Sequence, residues 1–183
     1  MHQNIEYCFD VEVGEKGLSR AEFEALLRRA DDGVAWLRHA HETGSLPLLH
    51  LPARTDDLME IRDAAAWLAD GTTDVVVLGT GGSSLGGQTL SQVGGWRLPV
   101  IGDLRDGPRL HFLDNLDGQS FEAALAALPL RTTRILAVSK SGGTGETLMQ
   151  VMAFASAYED AGLGDNLADH LLGLSEPTHS GTL

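Results

Sequence analysis

Two stretches of this chain are apolar at every position, and each opens directly into a loop of glycines and hydroxyl residues. Val75-Val76-Val77-Leu78 leads into Gly79-Thr80-Gly81-Gly82-Ser83-Ser84-Leu85-Gly86-Gly87, and Ile135-Leu136-Ala137-Val138 leads into Ser139-Lys140-Ser141-Gly142-Gly143-Thr144-Gly145-Glu146-Thr147. A strand without polar alternation has both faces covered, which is the condition of a parallel sheet flanked by crossover helices. From residue 73 onward, strand candidates at Asp74–Leu78, Leu110–Leu113, Arg134–Val138 and His170–Leu174 alternate with helix candidates near Leu85–Val93, Gln119–Leu128 and Gly145–Ala161. That order predicts a doubly wound α/β layer, in which ligands bind beyond the carboxyl ends of the strands. The loops after Leu78 and Val138 are therefore the places to look for chemistry.

Before residue 72 the pattern is helical. Ser19-Arg20-Ala21-Glu22 fits a capping box, and Phe23, Leu26, Leu27, Ala30, Val34 and Leu37 then recur at helical spacing, which predicts a helix from about Arg20 to His41. Leu46–Pro52 reads as an extended connector, and Leu58, Ile61, Ala65 and Leu68 mark a second helix ending at Gly71. The expected organisation is an N-terminal helical arm and connector over residues 1–56, then an α/β domain over 57–183, within the length of one domain plus an arm.

Charge excludes several partners. Twenty-six Asp and Glu against 13 Lys and Arg leave a net charge of −13, which repels nucleic-acid backbones and anionic lipid. No apolar run approaches a membrane span and the amino terminus carries no targeting pattern, so a cytoplasmic protein is expected. Cys8 is alone, so neither an internal disulfide nor a cysteine metal site is predicted, and no cofactor is called for.

Glycines let backbone N–H groups approach an anion, and hydroxyls at a helix start add donors where the helix dipole is positive. One such loop reads equally well as a tight, serine-capped turn. The known glycine motifs fit badly: Ser84 stands where a dinucleotide fingerprint has glycine or alanine, and Gly86 is followed by Gly87-Gln88 where a nucleotide phosphate loop has lysine. Two hydroxyl and glycine loops on two strands together describe a cradle for one phosphate, and Lys140, one of only two lysines, sits in the second. Hydrogen bonds to a charged oxygen contribute roughly 1.5–3 kcal/mol each, so a few local donors outweigh a screened overall charge. On the loops alone, the cradle has room for a small polar molecule beside the phosphate, and a mononucleotide or inorganic phosphate stays open as the ligand.

Gly81-Gly82-Ser83-Ser84-Leu85-Gly86, His111-Phe112-Leu113-Asp114-Asn115-Leu116-Asp117-Gly118 and Ser139 through Thr147 resemble, in order and spacing, three segments of the glucose-6-phosphate isomerase family, and the resemblance runs from about residue 60 to 176. It implies a three-layer α/β/α sandwich of the sugar isomerase type with a mainly parallel sheet. It also implies metal-free and cofactor-free interconversion of glucose 6-phosphate and fructose 6-phosphate. By position, Ser139, Lys140, Ser141, Gly142, Gly143 and Thr144 would surround the phosphate, and Gly82 and Ser83 would lie against the sugar and phosphate. Gly143 stands where the family often has threonine.

The family's glutamate base, ring-opening histidine, arginine and lysine come from later sequence, so the chain resembles the sugar-phosphate-binding amino-terminal portion, incomplete at its carboxyl end, with no catalytic residue of its own. None of the seven histidines lies in either loop. Glu146 is expected to cap a helix, and Asp114 and Asp117 to shape a turn. The alternative is a non-catalytic sugar-phosphate sensor. A fourth strand without a further neighbour leaves an edge, which predicts a homo-oligomer.

Overall fold

The computed structural model describes residues 4–97, 102 and 106–176. His2 and His179, two of the seven histidines, lie outside them. The chain divides into two compact units, with the boundary between Leu58 and Met59.

In the first unit, a short helical turn α1 (Asp10–Val13) precedes the long helix α2 (Arg20–Thr43). The capping box forms as expected: Ser19 Oγ accepts from the Glu22 N–H, and the Glu22 carboxylate accepts from the Ser19 N–H at 2.9 Å. Phe9, buried, meets Phe23 edge-on and carries the Arg20 guanidinium over its ring. Gly44 ends α2 in the left-handed conformation that a C-cap glycine provides. The expected extended connector is instead a 3₁₀ segment, Pro47–Ala53. Pro47 presets a helical φ at the first position, where its missing N–H costs nothing, and i→i+3 bonds such as Leu49 N–H to the Leu46 carbonyl follow.

The second unit contains most of helix α3 (Leu58–Ala69), then β1 (Asp74–Leu78), α4 (Gly82–Val93), β2 (Arg109–Leu113), α5 (Gly118–Ala127), β3 (Thr133–Val138), α6 (Gly145–Asp160) and β4 (Leu171–Leu174). All strand pairings are parallel, in the order β2-β1-β3-β4. This is the predicted α/β/α architecture. Val76, Leu78 and Ile135 turn one face of the sheet onto Phe121 of α5 and Phe154 and Tyr158 of α6, forming the main core. The opposite face receives α3, where Ile61, Ala64 and Leu68 share a groove with Leu136, Leu172 and Leu174, and α4, where Gly87 lets the helix approach Phe112. β1, an inner strand of the sheet, is buried along its whole length, which is why its sequence shows no alternation.

The strand order reverses between β1 and β3: the chain leaves β1 toward β2 on one side and leaves β3 toward β4 on the other. A crevice at such a switch point, above the carboxyl ends of the strands, is the binding place of open α/β sheets. Among the described residues, no helix is long and apolar enough to cross a membrane.

Candidate functional site

The loops after β1 and β3 meet at this switch point. A Cβ on Gly79 would stand 2.9 Å from the Val138 carbonyl oxygen and 3.0 Å from Ser83 Cβ, so only glycine lets the first loop pass this close to the end of β3. Gly81 then takes φ 54° and ψ −123°, a conformation closed to residues with a side chain, and starts α4 three residues earlier than its apolar pattern predicts. Ser83 and Ser84 are consequently inside the first turn of α4. Their N–H groups bond back to the carbonyls of Thr80 and Gly81, and neither hydroxyl caps the helix.

In the second loop, the Gly142 N–H bonds the Ser139 carbonyl at 3.1 Å, and Gly142 completes the turn with φ +66°. The buried Ser139 hydroxyl lies 2.8 Å from Thr144 Oγ1. This bond staples the two ends of the loop and occupies the Thr144 side chain, so Thr144 stands at the N-cap position of α6 without capping it. Ser141 Oγ accepts from the Gly143 N–H at 3.3 Å, which leaves its own proton for another acceptor. Lys140 is exposed and has no ion-pair partner among the described residues. Glu146, expected to cap α6, is exposed in its first turn and makes no cap bond, because Thr144 holds the N-cap position.

Among the four longer helices whose N-cap is described, the caps separate into two kinds. α2 is capped by Ser19 and α5 by Asp117, whose carboxylate accepts from the Ser120 N–H at 2.8 Å and is held below its ordinary pKa by the hydroxyl and N–H of Ser120. α4 and α6, which start at the switch point, have no side-chain cap. At α6 the first such bond is from the Leu148 N–H to the Thr144 carbonyl, so the helix N–H groups before it have no backbone partner among the described residues; at α4 the N–H groups of Ser83, Ser84 and Leu85 are already taken by the carbonyls of Thr80 and Gly81, and this end offers mainly its positive dipole.

Beside the start of α4 is a hollow of about 470 Å³ lined by Thr80, Gly82, Ser83, Val138, Lys140, Leu174 and Ser175. Its size falls in the roughly 300–1,000 Å³ range of small-molecule sites. The hydroxyls of Thr80 and Ser83 have no protein partner among the described residues. Of the residues anticipated from sequence, Gly82, Ser83 and Lys140 line the hollow. Ser141, Gly143 and Thr144 lie on the same turn without lining it, Gly142 is buried, and Ser139 shapes the turn from beneath. Thr80, Leu174 and Ser175 were not anticipated. The signal was available for Ser175, which follows a predicted strand as directly as Ser139 does.

Neither nearby carboxylate faces the hollow as a free group. Asp114 accepts from Gln88 of α4 at 3.3 Å and from the Asn115 amide at 3.1 Å, and Asp117 caps α5. The buried Gln150 of α6 donates to the carbonyls of Leu113 and Asn115 at 3.0 and 2.9 Å. The segment after β2 is thus held from α4 on one side and from α6 on the other.

The family model for phosphoglucose isomerase matches residues 50–181. A probable glucose-6-phosphate isomerase of Haloquadratum walsbyi is 34% identical over 143 residues, covering 75% of this chain and 31% of that protein. The glucose-6-phosphate isomerase of Carboxydothermus hydrogenoformans is 27% identical over 163 residues, 87% of this chain and 35% of its own. Among solved structures, a hypothetical protein from Thermus thermophilus superposes with a TM-score of 0.64 at 28% identity, over 89% of this chain and 38% of that one. A glucose-6-phosphate isomerase from Chlamydia trachomatis superposes with a TM-score of 0.53 at 25% identity, over 65% and 23%.

Fold and crevice together define an isomerase-like α/β/α protein with its loops gathered at the switch point of a parallel sheet. More particularly, the chain belongs to the phosphoglucose isomerase family. It spans about a third of the length of the curated relatives it matches.

Proposed function

We propose that this chain is the phosphosugar-binding portion of a glucose-6-phosphate isomerase. The observation that carries the reading is the hollow at the uncapped start of α4, lined also by Lys140 of the loop that leads into the uncapped α6, with the side chains of Thr80, Ser83 and Lys140 lacking a protein partner among the described residues. Hydroxyl and N–H donors without a partner are costly unless a ligand or water satisfies them, and a phosphate ester has the charge and the acceptor oxygens to do so. Ser83, Ser141 and the loop N–H groups would hold the ester, with Lys140 neutralising part of its charge, while Ser139 and Thr144 keep the loop in shape. Of the Ser139 and Thr144 hydroxyls, either can turn toward a bound oxygen only at the expense of the bond between them.

Aldose to ketose conversion moves a proton between neighbouring carbons and needs a base within hydrogen-bond reach of them. Asp114 and Asp117 are committed to other bonds, and no carboxylate or imidazole lines the hollow among the described residues. In this reading the base is supplied from outside these loops. The part played here is to anchor the phosphate, so that remote binding energy positions the reacting carbons.

Calorimetric titration with fructose 6-phosphate tests the reading. The wild-type chain should bind, and the Ser141→Ala, Thr144→Ala double variant should lose at least tenfold, about 1.4 kcal/mol. Equal affinity in both proteins, or none in either, overturns the cradle. Turnover by the 183-residue chain alone would overturn the external base.

A further inference from the structure

The hollow is wider than a phosphate. It runs from Thr80 after β1, across Val138 and Lys140 after β3, to Leu174 and Ser175 after β4. These three strands are consecutive in the sheet, so the exits of β1 and β4 are two strand spacings apart, about 10 Å. The features that attract an anion are gathered at one side: the starts of α4 and α6 follow β1 and β3, and Lys140 follows β3. The β4 side offers different chemistry. Leu174 is 56% exposed there, and Ser175 is partly exposed.

The backbone after β4 is fastened to the phosphate loop. The Glu176 N–H donates to the Lys140 carbonyl at 3.0 Å, and the Ser175 hydroxyl reaches the same oxygen at 3.4 Å. The first is a full hydrogen bond and the second is long and weak. Ser175 is therefore held in place by its backbone while its hydroxyl has little to lose by turning to a ligand. An exposed leucine beside a lightly engaged hydroxyl suits a carbon chain bearing hydroxyl groups, whose C–H face packs on the leucine.

We propose that Ser175, over Leu174, meets the sugar part of the ligand and contributes to selecting a phosphosugar over phosphate alone. This rests on the phosphosugar reading above and extends it to the side of the hollow that carries no anion-binding feature. The test uses the full chain and two probes, fructose 6-phosphate and inorganic phosphate. Ser175→Ala should raise the Kd for fructose 6-phosphate about three- to tenfold, the worth of one hydrogen bond, and leave the Kd for inorganic phosphate unchanged. Ser175→Thr, which keeps the hydroxyl, should stay near wild type for both probes. An unchanged fructose 6-phosphate affinity in Ser175→Ala overturns the sugar contact. Equal weakening of both probes also overturns it, because Ser175 would then act through the Lys140 turn. In either case the wild type still binds both probes and the cradle stands. A wild-type chain that binds neither probe overturns the cradle itself.

Discussion

Glycine placement at the switch point has two distinct physical causes, and substitution separates them. At Gly79 the obstacle is another backbone: an added Cβ meets the Val138 carbonyl at 2.9 Å, and a carbonyl in the sheet cannot swing away. Gly79→Ala should destabilise the chain by about 1–3 kcal/mol, the range of overpacked sites, and should weaken phosphate binding by spreading the two loops. At Gly86, four residues into α4, nothing lies within 4 Å of the position a Cβ would take. Gly86→Ala should raise stability by up to about 1 kcal/mol through helix propensity and the less flexible unfolded chain. Urea denaturation checks both. A neutral Gly79→Ala would mean that the loops do not need their close approach. The same contrast explains how much of the site the sequence disclosed. Glycine and hydroxyl residues were recognisable as loop material, so Ser83, Lys140 and Ser141 could be named in advance. That Ser139 would spend its hydroxyl on Thr144 could not, because a hydroxyl's partner depends on the turn that brings it within 2.8 Å.

Among the elements, the inner strands were the easiest to foresee and the connections the hardest. β1 and β3 declare themselves by apolar content, and β1 is bounded as predicted. The start of α4 and the 3₁₀ segment Pro47–Ala53 were missed because each depends on local backbone geometry, at Gly81 and Pro47, and not on periodicity. The amino ends of β1 and β2 are joined by a device that periodicity also conceals. Asp74, fully buried, accepts from Arg109 at 2.8 Å and Thr73 at 2.8 Å, with His111 Nε2 at 2.7 Å. Burial alone would raise the Asp74 pKa, but the bonds from Arg109, His111 and Thr73 and the Arg109 charge together hold it below the ordinary value. A carboxylate with a depressed folded pKa stabilises the fold above its unfolded pKa and loses that contribution as pH falls through the folded one. Thermal stability should therefore drop below about pH 4, and Asp74→Asn should flatten that acid limb. At neutral pH the variant should cost about 2 kcal/mol and leave phosphate affinity unchanged, because Asp74 is at the opposite end of β1 from Gly79. An acid limb as steep as that of wild type would overturn the assignment. Among the described residues β4 pairs with β3 alone, and a parallel edge left without a neighbour invites another strand. Light scattering should find a homo-oligomer; a monomer at all concentrations would count against it.

Over the whole molecule, a charge of −13 sets self-repulsion against the fold, since 26 acidic residues are met by only 13 basic ones. Repulsion among exposed carboxylates acts over distances that salt shortens, from a Debye length of about 10 Å at 0.1 M to about 3 Å at 1 M. The attraction at Asp74 is less exposed to salt, because Asp74 itself is buried with Arg109 and His111 in contact. Screening should consequently remove more repulsion than attraction, and the chain should become more stable between those two salt concentrations. In a chain of this length each 1 kcal/mol of relief raises Tm by about 2–4 °C. NaCl and KCl should act alike at equal ionic strength. Lowering the pH instead of adding salt also reduces the charge, yet it first helps and then harms, because protonation that quiets the surface eventually reaches Asp74. A Tm that falls with NaCl would show that pairs such as Arg54 with Asp56, exposed on both sides, hold the molecule together more than their geometry suggests. Measurement of Tm against salt at neutral pH, repeated on the Asp74→Asn variant, separates the two sources: the salt response should persist in the variant while the acid limb flattens.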